Sequence, residues 1–394
     1  MQILQKNGSK EARNEEPCQR RERLPLSGMA TRAFVMIPKR GNVMSLTMLG
    51  IPPSWPIFAD GVDWDDARDA IESAELGDGL PLIPPTPGRI GAMLAGVPNP
   101  SGPMGLVAPM MGILTPAAAA YCCVIAGARP EELPVVLTAL SACLEPEFNL
   151  LGIQTTTGTA AVAVIIHGPI RARLGVNGGG NCLGPGNRAN AGIGRAFNLA
   201  LKGIGGALPG IGDMATMGQP GKYVFCLAEG EASDAYPALH VRRGLTADTD
   251  AVTVLAVGGT MEVLPEGEQD SAESLLVPLV AAMVWGRYAA QSSQGGPQPE
   301  QFLLLPPEVA RQLSRSGHDV RGFQAAAFAL ARDASPWDLL SHAGERWSVP
   351  SPALASVPEH IHPVVTGGVG IKMTVLPGWA GGSRSVTRAI MTSF

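Results

Sequence analysis

A run of glycine and asparagine at residues 175–187 holds the residues whose types and spacing best suit chemistry. It reads Gly-Val-Asn-Gly-Gly-Gly-Asn-Cys-Leu-Gly-Pro-Gly-Asn and leads directly into a predicted helix at 188–202. Glycine lets the backbone approach a ligand closely, and asparagine supplies amide groups in unusual backbone conformations. The free N–H groups at a helix start favour an anion. We therefore predict that this segment, the glycine loop, binds a small anionic substrate.

The predicted binding residues of the loop are asparagines, joined by two arginines that can form bidentate contacts with an anion. They are Asn177, Asn181, Asn187, Asn190, Arg188 and Arg195. The loop differs from a Walker phosphate loop, which needs Gly-Lys-Ser/Thr, and from a dinucleotide fingerprint with its ribose-binding acid. The alternative interpretation is a flexible surface loop that holds no ligand.

Cys182 is the predicted reactive thiol of the glycine loop. A thiol among glycines, before a helix start and near two arginines, is expected to have a lowered pKa. The alternative is that Cys182 only packs under the loop. Cys226 lies in an apolar, strand-like run and is expected to be buried and inert. Glu229 follows that run and is the predicted carboxylate base, although a solvated turn is the alternative for Glu229 and for Glu231.

The histidines offer one possible metal motif, Glu359-His-Ile-His362, which places two imidazoles on one face of an extended segment. No third ligand at a familiar spacing accompanies them, and the sequence contains no Cys-x-x-Cys. We therefore predict no metal site and no cofactor.

Composition excludes several classes of protein. The chain has 394 residues, 45% hydrophobic and 16% charged, with a net charge of −5. Residues 1–43 are basic and the remainder is acidic, which argues against a nucleic-acid-binding body. Six cysteines are too sparse for a disulfide framework, and no apolar run is long enough to span a membrane. These features predict a cytoplasmic protein with reduced thiols.

The elements that must position these residues alternate between apolar strands and helices. Strands are predicted at 152–157, 161–167, 223–228, 253–257, 302–305 and 364–365, and helices at 188–202, 273–285, 307–315 and 320–331. Strands that are almost entirely apolar need cover on both faces. The sequence therefore predicts an α/β fold, with a mainly buried mixed or parallel sheet covered by helices.

Two strand–proline–helix–helix units of similar internal spacing suggest a pseudo-repeat of two halves. Only the first unit carries the glycine loop, and chance similarity is the alternative explanation. The predicted organisation is a disordered basic tail or over-extended start at 1–62, a first α/β half at 63–250 and a second at 251–394.

Several strings between Asp63 and Ile390 resemble bacterial proteins of the UGSC family, which includes selenoproteins. The strings are Asp78-Gly-Leu-Pro with Pro84-Pro-Thr86, Glu145-Pro-Glu-Phe-Asn149, Gly152-Ile-Gln-Thr-Thr156, Asn181-Cys-Leu-Gly-Pro-Gly-Asn-Arg-Ala-Asn190 and Gly218-Gln-Pro-Gly-Lys-Tyr223. The family is named for a selenocysteine-or-cysteine, Gly, Ser, Cys motif, and this chain contains no Cys-Gly-Ser-Cys. The resemblance implies a domain that accompanies such a motif, or a relative that works without it.

Four residues within these strings complete the predicted substrate site: Asp78, Gln154, Thr155 and Lys222. The predicted function is a cytoplasmic enzyme that acts on a small anionic substrate, with thiol or redox chemistry at Cys182. One alternative is a non-catalytic subunit that binds a selenoprotein or thiol protein, and another is a small-ligand-binding module. The chain is also expected to form a homo-oligomer and to bind neither nucleic acid nor membrane.

Overall fold

The computed structural model describes residues 50–265, 268, 271–289, 298–333 and 354–391. Most of the predicted basic tail lies outside these residues. From Ile51 onwards the chain packs into the core: Ile51 and Trp55 are buried, and the Trp55 ring lies against Tyr121 with centroids 4.7 Å apart. Residues 51–62 therefore belong to the packed structure and not to the predicted tail, and the rest of the predicted tail stays a prediction.

The helices are α1 (Trp64–Ser73), α2 (Pro87–Met93), α3 (Pro116–Ala126), α4 (Leu133–Cys143), α5 (Leu150–Thr155), α6 (Ile170–Leu174), α7 (Arg188–Gly203), α8 (Leu239–Arg242), α9 (Ala272–Ala289), α10 (Pro307–Arg315) and α11 (Val320–Asp333). The strands are β1 (Gly105–Val107), β2 (Gly112–Leu114), β3 (Ala161–His167), β4 (Cys226–Ala228), β5 (Ala251–Val257), β6 (Met261–Val263), β7 (Gln301–Leu305), β8 (Ile361–Val365), β9 (Met373–Leu376) and β10 (Val386–Ala389). Strands β1 and β2 form a separate hairpin.

The other strands form two four-stranded mixed sheets with matching topology. The first sheet has the order β10-β5-β3-β4, and the second has the order β6-β9-β7-β8. In each sheet one pair is parallel, β3 with β4 and β7 with β8, and the remaining pairs are antiparallel. Helices α6 and α7 connect the first parallel pair, and α10 and α11 connect the second.

The two sheets pack face to face, with helices outside each. On β3, Val164 and Ile166 join a cluster with α3, α4 and α7, whereas Ala163 and Ile165 join a central cluster with residues of β7, β8 and β9. Residues of β7 alternate in the same way between this central cluster and a cluster with α9, α10 and α11. The layers are thus helices, sheet, sheet and helices, which explains why the strands are apolar on both faces.

The predicted α/β fold with mainly buried mixed strands covered by helices is confirmed, except that the strands form two sheets where one was predicted. The strand predicted at 152–157 is wrong, because Leu150–Thr155 is helical. Asn149 begins this helix in the left-handed conformation, and its side chain accepts a hydrogen bond from the Gly152 N–H. Such caps stabilise a helix start that apolar composition alone does not reveal.

The predicted division at residue 250 falls between strands of one sheet. Strand β5 follows that position but pairs with β3, and β10 from the far end of the sequence completes the same sheet. Strand β6, which follows β5, instead pairs with β9 in the second sheet, whose four strands all lie in the predicted second half. The predicted second half therefore supplies two strands, β5 and β10, to the first sheet, and the pseudo-repeat itself stays a prediction.

Among the described residues, no single helix has the length and apolar character needed to cross a membrane. One sharply bent pair, Pro130–Cys143 with Pro146–Thr155, meets that test by length and composition when its two parts are counted together.

Candidate functional site

Two parallel strands of the first sheet end at a buried imidazole–carboxylate pair. His167 is the last residue of β3, and Glu229 directly follows β4. The His167 Nδ1 atom lies 2.7 Å from the Glu229 Oε2 atom, and both side chains are buried. The carboxyl ends of parallel strands are the usual ligand-binding edge of an α/β sheet, so this pair marks the candidate site.

Backbone and side-chain hydrogen bonds fix the position of Glu229. The Leu239 N–H, at the start of α8, donates to Glu229 Oε2 at 2.9 Å. The Arg171 guanidinium donates to the Glu229 backbone carbonyl at 2.7 Å. The Leu239 N–H and His167 thus satisfy a buried carboxylate that would otherwise be costly to remove from water, and Arg171 fixes the backbone behind it.

A chain of hydroxyl groups orients His167 from its other side. The His167 Nε2 atom lies 2.8 Å from Thr253 Oγ1, which lies 2.7 Å from Thr387 Oγ1. Arg243 donates to Thr387 Oγ1 at 2.8 Å. Because arginine can only donate, the network is satisfied when Thr387 donates to Thr253 and Thr253 donates to Nε2. The remaining ring proton is then on Nδ1, where His167 donates it to Glu229.

His240, on α8, is a second buried imidazole beside this pair. Its ring stacks on His167, with centroids 5.1 Å apart and planes at 27°. His240 is 2% exposed, and neither ring nitrogen has a hydrogen-bond partner among the described residues. Burial and the neighbouring His167 lower the pKa of His240, although Glu229 and the backbone carbonyls of Ala247 and Thr246 oppose this. Those carbonyls lie near the ring but do not meet hydrogen-bond geometry. His240 is therefore mainly neutral at pH 7, with a nitrogen lone pair that no described residue uses.

These residues line a cavity of about 640 Å³, the histidine cavity, together with Arg171 and Ser233. One potential ligand atom from each of His167, Glu229 and His240 lies within 4.8 Å of the other two, so the three could hold a metal ion. A second cavity of about 550 Å³, the glycine cavity, also has Arg171 and Ser233 in its wall.

The glycine cavity is walled by two glycine segments whose backbones touch. Gly179 forms a β-bridge with Gly367, and a Cβ on Gly368 would lie 2.9 Å from the Gly180 Cα atom. A Cβ on Gly178 would lie only 2.5 Å from the Ala228 carbonyl oxygen. Glycine is needed here because the loop passes between the two sheets and joins them, rather than remaining a free surface loop.

The four predicted asparagines hold the glycine loop with their own amide groups. The Asn177 amide nitrogen donates to Gly180 O and Asn187 Oδ1, both at 2.9 Å, and Asn187 donates to Asn181 O at 2.7 Å. The Asn190 amide nitrogen lies within 3.2 Å of the carbonyl oxygens of Asn177, Cys182 and Cys226. These amides shape the loop, and a role toward substrate stays a prediction.

The environment of Cys182 contradicts the predicted lowering of its pKa. Burial raises the pKa of this thiol, although a weak contact from the Thr366 hydroxyl, 3.8 Å from Sγ, opposes it. Both arginines expected nearby are engaged elsewhere: Arg188 pairs with buried Glu132, and Arg195 forms a bidentate pair with Asp78 at 2.8 Å. The thiol thus lacks the positive charge that would favour a thiolate.

The predicted site residues are spread over separate cavities. Cys182, Asn187 and Asn190 line one of about 270 Å³. Asp78, Gln154 and Lys222 line another of about 730 Å³, where Lys222 pairs with Asp213. The Thr155 hydroxyl donates to the Leu151 carbonyl of its own helix at 2.8 Å. Among the predicted residues, Glu229 alone lines the histidine cavity.

Sequence reasoning missed His167, His240 and Thr253. One signal for His167 was present, since it is the single polar residue closing the apolar run 161–167, and Glu229 ends the next strand. The histidine motif at 359–362 does not contribute to this cavity. His362 Nε2 lies 3.0 Å from Glu300 Oε1, in a separate and largely buried pair.

No known family model matches this chain, and no curated protein is significantly similar to it. The assignment of a site therefore depends on the geometry above.

Proposed function

We propose that the protein is a cytoplasmic enzyme that acts on a small anionic substrate in the histidine cavity. One observation carries the proposal: His240 is buried, lies on the cavity wall beside the His167–Glu229 pair, and has no described partner for either ring nitrogen. Buried polar groups are normally hydrogen-bonded, so an unpaired imidazole at a cavity supports a role toward a ligand. The free cysteines of the described residues support a reducing compartment.

Arginine in the cavity walls supports an anionic substrate. Arg171 lines both the histidine cavity and the glycine cavity, and Arg311 lines the latter. A guanidinium binds carboxylate or phosphate oxygens in a planar, directional way. The hydrogen bond from Arg171 to the Glu229 backbone carbonyl fixes the arginine in place. The residue that would bind the anion is therefore held next to the Glu229 carboxylate of the candidate site.

The chemistry that this arrangement supports begins with loss of a proton from the substrate or from a water molecule. Neutral His240 offers a lone pair in the cavity. The nearby Glu229 carboxylate, which already raises the pKa of His240 against the effect of burial, would stabilise positive charge formed there. General acid–base groups of this kind contribute roughly 10²–10⁴-fold to a rate.

The first test is a thermal-shift screen of carboxylates, phosphates and thiols, followed by turnover assays on each ligand found. We expect an anion to raise the melting temperature of the wild-type protein and to lose affinity with Arg171→Ala. Stabilisation by thiols alone, unaffected by Arg171→Ala, would contradict the anionic class.

Matched variants then locate the chemistry. We expect Glu229→Gln and His240→Gln to lower turnover by about 100-fold or more, whereas His318→Gln, away from the cavity, keeps it. Cys182→Ala tests the alternative in which the Cys182 thiol carries the chemistry. Loss of turnover in Cys182→Ala together with normal turnover in His240→Gln would overturn the assignment of the chemistry to the histidine cavity.

We also propose that the protein forms a homo-oligomer and has a thiol protein or selenoprotein as a partner.

A further inference from the structure

We infer that His167, Glu229 and His240 bind a divalent transition-metal ion of the zinc class in the histidine cavity. The inference deepens the proposed function and depends on it for the role of the site, whereas metal binding itself is testable without any substrate.

The geometry of the three side chains suits such an ion. Each offers one ligand atom within 4.8 Å of the others, and all three residues are buried. In tetrahedral sites with metal–nitrogen distances of about 2.0–2.1 Å, ligand atoms lie about 3.3 Å apart. To bind such an ion, the distance between His167 Nδ1 and Glu229 Oε2 would increase from 2.7 Å to about 3.3 Å, and the His240 ring would turn towards the ion. Rotation of the side chains is sufficient for both changes.

The donor set selects the class of ion. Two imidazoles and one carboxylate form a common set for catalytic zinc and for other first-row metals with open positions. Calcium and magnesium prefer oxygen ligands, and no thiol takes part, since Cys182 lines a different cavity. The histidine cavity leaves room for water or substrate at the remaining positions.

The surrounding hydrogen bonds fit a ligated His167. Coordination through Nδ1 reverses the hydrogen-bond direction described above for the metal-free site: the ring proton moves to Nε2, and Thr253 Oγ1, at 2.8 Å, accepts it. The Thr253 hydroxyl then turns to donate to Thr387 Oγ1 at 2.7 Å. Outer hydrogen bonds of this kind orient metal-binding histidines, and the Leu239 N–H plays the same part for Glu229.

His240 provides the independent observation. Its ring is almost wholly buried, and neither nitrogen is satisfied by a described residue. Coordination to a metal ion would give one His240 ring nitrogen a partner and would account for an imidazole at this buried position in the cavity wall. The ion's two positive charges exceed the single charge of Glu229, so the loaded site attracts an anion, consistent with the arginine-lined cavity. A metal-bound water would lose its proton near neutral pH, so in the loaded site this water would supply the proposed first step in place of the His240 lone pair, which binds the ion.

The experiment measures metal retention by full-length protein that has been stripped with a chelator, reloaded with Zn²⁺ and dialysed. We expect about one equivalent of zinc in the wild-type protein and in the control His318→Ala, and a loss of at least tenfold in affinity in His240→Ala and Glu229→Gln. No zinc in the wild-type protein, or equal retention by His240→Ala, would overturn the inference.

Two further measurements remain decisive if a variant fails to fold. Co²⁺ bound to wild-type protein should give visible d–d bands without thiolate charge-transfer bands, and a thiolate band would assign the metal to cysteine instead. Thr253→Val should weaken Zn²⁺ binding by about 10–100-fold, whereas a Thr253 that only packs would leave it unchanged.

The two proposals fail in different ways. Absence of zinc retention in wild-type protein, together with an anion that turns over in chelated protein, refutes the metal site and leaves the proposed function standing. Zinc retention without any anionic ligand in the thermal-shift screen supports the metal site and refutes the proposed substrate class.

Discussion

Two histidine–glutamate pairs occur at the sheets among the described residues, one buried at the first sheet and one largely buried at the second. His167 and Glu229 lie at the carboxyl ends of β3 and β4, with 2.7 Å between Nδ1 and Oε2. His362 lies in β8 and Glu300 just before β7, with 3.0 Å between Nε2 and Oε1. A continuous path joins them through Thr253, Thr387, Arg243 and Ser385.

The surroundings of the two pairs differ more than the pairs themselves. Glu300 accepts further hydrogen bonds from the Ser385 N–H and hydroxyl, both at 2.6 Å, and neither Glu300 nor His362 lines any of the four cavities above. The His167–Glu229 pair instead borders a cavity and His240, whose ring nitrogens bond to no residue in the described part of the chain. The comparison teaches that an imidazole–carboxylate pair inside the protein does not by itself mark a ligand-binding site. The first pair differs because it borders a cavity and lies beside His240, which lacks a hydrogen-bond partner among the described residues.

The largest expected effect is the loss of the Glu300 carboxylate. Glu300→Ala leaves the donors of His362 and Ser385 without their acceptor and the neighbouring Arg243 without its carboxylate in a largely buried setting, so we expect about 3–5 kcal/mol of lost stability. Glu229→Ala should cost only about 1–3 kcal/mol, since water can enter the adjoining cavity and bond to the exposed donors. Urea unfolding of both variants measures which substitution lowers the free energy of unfolding more. A larger loss for Glu229→Ala would break the comparison.

The next effect is a pH dependence specific to the second pair. Burial lowers the pKa of His362 to about 4, although Glu300 opposes this. The unfolded chain, with an ordinary value of 6.5, therefore binds a proton first as the pH falls. We expect about 3 kcal/mol of stability to be lost between about pH 6.5 and about pH 4.

Glu300 continues this trend at lower pH. Burial alone would raise the pKa of Glu300, but hydrogen bonds from His362 and Ser385 lower it to about 2. Its contribution is complete above its ordinary value of 4.5 and is lost as the pH falls towards about 2. Melting temperatures of the wild-type protein, His362→Gln and the control His318→Gln across this range provide the test. A wild-type slope that persists in His362→Gln would contradict the assignment.

A smaller effect concerns the backbone beside the first pair. Gly178→Ala places a Cβ 2.5 Å from the Ala228 carbonyl oxygen, next to Glu229, and should cost about 1–3 kcal/mol. Gly180→Ala is the matched control, because its Cβ meets only the Gly368 Cα atom at an ordinary 3.7 Å. The midpoints of denaturant unfolding measure the stability of both variants. Equal midpoints would show that close packing of the glycine loop against the backbone beside Glu229 does not contribute to stability.

The smallest effect is expected at Cys182, outside both pairs. Burial raises the pKa of Cys182 and of Cys226, so iodoacetamide at pH 7 should alkylate neither quickly in native protein. Peptide mass spectrometry of the labelled protein measures the two rates, with urea-unfolded protein as control. Rapid native labelling of Cys182 alone would restore the thiol alternative.

Apolar patterning predicted most of the fold, and its limits have physical causes. Helix α10 matches its predicted range, and the apolar strands β3 and β5 were found because cover on both faces leaves a continuous apolar run. The helix α5 was missed because its signal is a left-handed Asn149 cap. Short edge strands such as β6 and β10 carry too few residues for a periodic signal.

The candidate site was predictable only in part. Glu229 was identified because it follows an apolar strand, and His167 carried the same signal. His240 gave none, since its proximity to His167 depends on a four-residue helix and on tertiary packing. The glycine loop drew attention by composition, but that composition reflects a backbone crossing between sheets.

The late position of β10 in the sequence has a consequence for how the protein is made. Thr387 and Ser385, which hold Thr253 and Arg243 behind His167, belong to β10 or directly precede it, and are synthesised long after β3 and β5. The first sheet therefore stays incomplete on the ribosome until the segment that carries β10 emerges. The histidine cavity gains its full support only after both sheets have been synthesised, so a nascent chain that stops before β10 exposes a buried strand edge and an unsupported imidazole.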